Sequence, residues 1–370
     1  MLIYWLIFVF LSILAFLNLY IKDKSIKFVF FIFIMFFLIL FAGLRGETVS
    51  ADYLRYVMFF EMTPNIMEWV SGDYQYSIVN SYMVEPLYLL IGAFVKVFTT
   101  NYVFNFLFIS FIAVSINSIF YFKYSKYVFL TVLLYFVFTF FGKEMTQIRN
   151  GVSSALGLFL IFCFYKKLHL RSLIIIATAS LIHLASICYL IPFFVNFFRE
   201  RLTNKVIIGF IALGMALGYV GILKSVIVLL PDSFLKVKLY NYAFMSKYAD
   251  ITPIFDLVNI KNILFLSIFL IFRNKLSKKV IYFDVMLMMY ALGVFFRLLF
   301  SDVDILAGRL ASYFTIVEVI MIPSLILLFK QRIFIFFLIV FYAGTIFNMQ
   351  LNLHNRQSYY ISNKISEIFN

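Results

Sequence analysis

Apolar runs alternate with short basic connections along the whole chain. The runs fall near 1–21, 27–44, 102–122, 127–141, 150–165, 169–198, 206–230, 254–272, 281–300, 310–329 and 333–349. Most approach or exceed the roughly 18–20 residues that carry an α-helix across a hydrocarbon core about 30 Å thick. Barrel strands would show a weaker, ten-residue alternation instead. The pattern predicts an all-α, polytopic transmembrane helical bundle of about 10–12 membrane segments, a single integral membrane domain over 1–370.

Six connections hold more than half of the 31 lysines and arginines: Lys22/Lys24/Lys27, Lys123/Lys126, Lys166/Lys167/Arg171, Arg199/Arg201/Lys205, Arg273/Lys275/Lys278/Lys279 and Lys330/Arg332. Lysine and arginine collect in short cytoplasmic loops. All six share one face if two conditions hold. PLYLLIGAFVKVFT (86–99) must be an interfacial or re-entrant segment, with Pro86 in a helix's first turn and Glu85 beside its N-terminal dipole. The run 169–198 must be a re-entrant hairpin turning near Ser180–His183. The alternative is one tilted helix kinked at Pro192, which moves Arg199, Arg201 and Lys205 outside.

With both conditions met, the N-terminus, 45–101, GKEMTQIRN, the 231–253 loop, SDVDILAG and the C-terminal tail lie outside. The 45–101 loop is too long to be structureless and reads as functional. It predicts two interfacial helices. One is the amphipathic ADYLRYVMFFEM; the other begins at NIMEWV, with Thr63 as N-cap, Pro64 at its first position and Trp69 at the interface.

Composition narrows the picture. The 370 residues are 64% hydrophobic and 13% charged, with a mean hydropathy of +1.02. Soluble domains carry about 25% charged residues, and the excess here spans the whole length, which excludes one anchor on a soluble domain. The net charge of +14 reads as orientation in a membrane, with membrane lipids as neighbours and no nucleic acid as partner. Cys163 and Cys188 both fall inside apolar runs, so no disulfide framework or zinc pattern is present. No metal or cofactor is expected, and SDVD (301–304) reads as a chance likeness to a DxD metal motif. The first run lacks a basic leader and its positive charges follow it, so it reads as a retained helix.

The chemistry lies in a few charges at the outer level. Arg149 opens a helix whose next residues, Gly151, Ser153, Ser154, Ala155 and Gly157, are small and admit close neighbours. An intramembrane cation so placed is expensive and marks a functional site by default, the alternative being a snorkelling or topology-setting arginine. Arg45 ends the second run, Arg297 stands near the outer end of its run, and Arg309 opens the next. Arginine's planar fork binds phosphate bidentately and stays charged, so the four suggest a dianionic or diphosphate ligand. Ion pairs with loop acids such as Asp302 or Asp304 are the alternative. His183 sits at the hairpin apex, either as site residue or as packing, and Glu318 reads as structural.

Five stretches, in order over about 40–330, are similar to the motifs of the EpsG-type polysaccharide polymerases, a branch of the Wzy-like O-antigen and exopolysaccharide polymerases. They are GLRGETVSADYLRY, EPLY, QIRNGVSSALGLFL, ASLIHLAS and AGRLASYF. ADY departs from the family's frequent glycine before the acid. The resemblance implies a glycosyltransferase of the bacterial inner membrane, working at the periplasmic face on undecaprenyl-diphosphate-linked oligosaccharides, with a chain-length regulator protein as a further partner. In that chemistry Arg149 and Arg309 would hold the diphosphate with Arg45 and Arg297 assisting. Asp52, Glu85 or His183 would be the base, the sequence not choosing among them. Tyr53, Tyr56, Trp69, Tyr74 and Tyr76 would stack on sugars or anchor at the interface. An O-antigen ligase or a lipid-linked oligosaccharide flippase are the rival readings.

Overall fold

The computed structural model describes residues 1–71, 84–245, 252–353, 359–362 and 364. It is an all-α polytopic membrane bundle, and among the described residues the only β pairing is one isolated bridge, Arg45 to Ile361. The helices run α1 (Leu2–Leu17), α2 (Lys24–Gly43), α3 (Tyr53–Glu61), α4 (Ile66–Ser71), α5 (Pro86–Lys96), α6 (Tyr102–Tyr124) and α7 (Val128–Tyr135). They continue with α8 (Ile148–Tyr165), α9 (His169–Ile182), α10 (Leu190–Asn196), α11 (Asn204–Val220), α12 (Ile222–Leu229) and α13 (Phe234–Phe244). The last are α14 (Leu257–Ile271), α15 (Arg273–Lys279), α16 (Phe283–Leu299), α17 (Asp304–Thr315), α18 (Glu318–Ser324) and α19 (Arg332–Leu353).

Five of the described helical spans are long and apolar enough to cross a membrane. They are α2, α6, α7 with its extension to Thr146, α8 and α19. Three further runs are broken: α11/α12 by 72°, α14/α15 by 76°, and α17 with the stretch to Leu328 by 55°. The first break has a local cause. Gly221 takes a left-handed φ of +70°, which L side chains resist, and Asp302 then caps the new helix by accepting from the Lys224 amide at 2.9 Å.

Chain contacts gather into two units. One holds residues 1–160, 170–187 and 322–370, the other 161–169 and 188–321. In the first, α1 packs on α7 and α2 on α6, and every residue of α7 is buried. In the second, α16 packs against α11 and α17 and buries side chains all round, as a helix apolar on every face between Asp284 and Arg297 requires. Gly218 of α11 allows the approach; a Cβ there would stand 2.0 Å from the Leu298 carbonyl.

The 169–198 run is a hairpin. The His169 ring stacks on Phe197 with centroids 4.8 Å apart, and Arg199 Nη1 donates to the Phe164 carbonyl at 3.3 Å. A straight helix would separate residues 169 and 197 by about 40 Å at 1.5 Å per residue. The break follows Ile182, where α9 ends and a 3-10 stretch, Leu184–Tyr189, begins.

Four expectations change. The helix after Thr63-Pro64 starts later: Asn65 is its N-cap, accepting from the Glu68 amide at 2.9 Å while Glu68 accepts from the Asn65 amide at 2.8 Å. This reciprocal box outcompetes Thr63, whose hydroxyl donates back to Phe59 O at 2.6 Å. GKEMTQIRN is no exposed loop, because α7 runs on as a π-helix, Phe136–Thr146, that buries Lys143 and Glu144. Arg309 does not open its helix, since α17 already starts at Asp304. Tyr53 and Tyr56 are buried in the α3–α6 core and are closed to sugars, Trp69 packs half-buried against that core, and Tyr74 and Tyr76 lie outside the described residues.

Candidate functional site

Glu85 immediately precedes Pro86, the first residue of α5. Proline bars the helical region to its predecessor, and Glu85 is extended at φ −69°, ψ 142°. Its carboxylate therefore leaves its own helix's amides uncapped and reaches two segments far along the chain. Oε2 accepts from Arg149 Nη1 in a short charge-assisted bond. Oε1 stands 3.0 Å from His183 Nδ1 and accepts from the Leu184 amide at 2.9 Å.

Each partner is delivered by a break in regular structure. Arg149 is the second residue of α8, just past the non-helical Gln147 that ends the π-helix. His183 closes α9, its amide bonded to Ala179 O, and the turn into the 3-10 stretch frees the Leu184 amide for the carboxylate. Arg149 is enclosed by aromatic faces, its guanidinium carbon lying 5.3 Å from the Phe59 ring centroid, 5.7 Å from Tyr88 and 5.9 Å from Tyr56. Such faces attract a cation and exclude water. Its Nε is buried without a hydrogen-bond partner among the described residues.

Electrostatics fix the protonation of the hub. Burial alone raises the Glu85 carboxyl, but the His183 hydrogen bond, the Arg149 and His183 charges and the Leu184 amide outweigh it and hold the group at about 2. Glu85 is thus ionised at neutral pH and accepts from Arg149 and the Leu184 amide. Nδ1 faces the carboxylate, so Nε2 is the ring nitrogen turned away from it.

The remaining expected residues keep other neighbours among the described residues. Asp52 lies 4.0 Å from Arg55 on its own helix, and its carboxylate bonds to neither His183 nor Arg149 among the described residues. Arg45 is fully buried in the first unit with no carboxylate partner among them. In the second unit Arg297 pairs with Asp256 at 3.0 Å rather than with Asp302 or Asp304, and the exposed Arg309 lies 5.9 Å from the Tyr242 ring. Asp304 accepts from the Thr252 hydroxyl. Glu318 is structural, paired with Lys261 at 2.8 Å.

One charged group went unread. Glu144 is buried on the π-helix, accepting from the Tyr135 hydroxyl at 3.0 Å and Asn117 Nδ2 at 3.1 Å. A Cβ on Gly151 would meet its Oε2 at 2.7 Å. The available signal was a carboxylate between an apolar run and a small-residue helix, which marks an interior position.

The profile of the EpsG family matches residues 28–362. The chain is 32% identical over 324 residues to the amylovoran biosynthesis protein AmsC of Erwinia amylovora, a match covering 86% of this chain and 84% of the relative. No solved structure matches.

Proposed function

The chain belongs to the EpsG family, and on that premise we propose that it is a polysaccharide polymerase joining undecaprenyl-diphosphate-linked repeat units at the periplasmic face of the bacterial inner membrane. The observation that carries this reading is the Glu85 hub, where one buried carboxylate orients an imidazole and a guanidinium 98 and 64 residues away in sequence.

The chemistry follows from those positions. The acceptor sugar's hydroxyl gives its proton to His183 Nε2 as its oxygen attacks the donor's anomeric carbon. The bond from that carbon to the diphosphate oxygen breaks, and the lipid diphosphate departs with the electron pair. Glu85 stays ionised, holds Nδ1–H and stabilises the imidazolium that forms. Arg149 offers its remaining N–H groups to the charge that develops on the leaving group. This reading assigns the base to His183 in preference to Asp52, whose carboxylate has no hydrogen bond to the imidazole among the described residues.

The test uses the native host. Deletion should leave single capped repeat units, and His183→Gln should reproduce that phenotype with normal membrane insertion. Free lipid-linked polymer after deletion would point to a ligase, and complete loss of outward glycan to a flippase. Full-length chains in the His183→Gln strain would remove the imidazole from the reaction. Arg149→Lys, keeping charge but losing the fork, should also abolish long chains.

A further inference from the structure

Arg45 is fully buried, yet no carboxylate neutralises it among the described residues. Nε donates to Ser50 Oγ at 3.3 Å and Nη1 to Ala42 O at 2.5 Å, while Nη2 has no hydrogen-bond partner among the described residues. Its remaining neighbours are ring faces, Phe106 at 4.5 Å and Tyr53 at 5.5 Å. A buried cation without an anion is a costly arrangement that an incoming phosphoryl group would relieve.

The segment Tyr359–Ser362 pairs with the backbone on either side of Arg45. Ser362 N donates to Leu44 O at 2.9 Å and Gly46 N to Tyr360 O at 2.8 Å, the pair of bonds flanking the Arg45–Ile361 bridge. Tyr359 stacks flat on Phe41, 4.0 Å between centroids, and donates its hydroxyl to Phe41 O at 3.0 Å. The Tyr360 hydroxyl accepts from the Thr48 amide at 3.2 Å. The seat is shaped for this, since a Cβ on Gly46 would come 2.0 Å from the Tyr360 ring. The bridge does not extend into a ladder, and the Tyr360 and Ile361 side chains face outward. A few modest contacts thus hold this segment beside a cation that no carboxylate neutralises among the described residues, two opposing terms of the kind that make an element bistable.

We propose that Tyr359–Ser362 is a removable strap, and that lifting it opens a phosphoryl-binding position at Arg45. The ligand would be a lipid-linked diphosphate headgroup or a free diphosphate. Assignment of the lipid form rests on the polymerase reading above; the strap and the anion site do not.

The experiment measures diphosphate binding to the full chain in lipid nanodiscs, so it is independent of polymer formation. Gly46→Ala, which presses on the Tyr360 ring, should lift the strap and tighten inorganic pyrophosphate binding about tenfold, as an increased competent fraction does. Gly46→Cys with Tyr360→Cys, oxidised, should weaken it about tenfold below the reduced form and recover with reductant. Arg45→Gln should abolish both responses; Tyr360→Ala supplies a strap variant that leaves the arginine intact. Repeating the series with a polyprenyl diphosphate separates the sources: strap dependence for the lipid alone assigns a lipid headgroup, and for both assigns the diphosphate itself. Equal affinities for both ligands in locked, open and wild-type forms would overturn the proposal, whatever the glycan phenotypes of His183 and Arg149 variants.

Discussion

Arg149, His183 and the Leu184 amide converge on the Glu85 carboxylate. Because Glu85 is held at about 2, below its ordinary 4.5, its contribution to stability is whole above about 4.5 and is lost as pH falls through about 2. Glu85→Gln should therefore destabilise the protein at neutral pH by about 3–5 kcal/mol, the usual cost of removing one partner of a buried pair. In thermal unfolding of the detergent-solubilised protein, the gap to wild type should stay constant down to pH 5 and close between pH 4.5 and pH 2. A gap that does not depend on pH in that window would mean the carboxylate is not the charged hub described. Arg149 was legible from sequence because a permanent cation above a run of small residues has few bland explanations. Its aromatic enclosure was not, since Phe59 and Tyr88 meet it only when α3 and α5 fold back over α8.

The π-helix that follows α7 carries Lys143 and Glu144 inward and delivers the chain to Arg149. Its widened turn closes with Gln147 N on Gly142 O at 2.8 Å, five residues back. Gly151 sits where that turn presses on α8, with the Lys143 carbonyl and the Glu144 carboxylate each 2.7 Å from a notional Cβ. Gly151→Ala should shift the start of α8, lower the melting temperature and shorten glycan chains, whereas the same change at Gly142, with open space around it, should do neither. At Gly221 the cause is conformational, so Gly221→Ala should cost about 1–2 kcal/mol through its left-handed φ, read by the same unfolding assay. Hydrophobic runs announce such helices but not their breaks, because each break depends on a cap or partner from elsewhere, as Asp302 is for α12.

Across the molecule, the hairpin decides how the basic connections sort between faces. It returns Phe197 to His169, so Arg171 and Arg201 should be reached from the same side of the membrane by an impermeant thiol reagent when each is replaced by cysteine. Labelling of the two from opposite sides would contradict the fold directly. His169→Cys with Phe197→Cys should also form a disulfide in an otherwise buried-cysteine background.

Composition and hydropathy alone established that this chain is a multi-pass α-helical membrane protein. Lipid requires the polar backbone groups of apolar runs to be paired in helices or a closed barrel, and run length, which excludes the barrel, acts on every run independently. The ordered motifs identified its family for the same reason, each being readable in place. Tertiary structure alone decided which charges meet. Pairing depends on where breaks turn the backbone, and a guanidinium held by Glu85, one held by Asp256 and one beside the C-terminal segment are indistinguishable in sequence until the helices around them have packed.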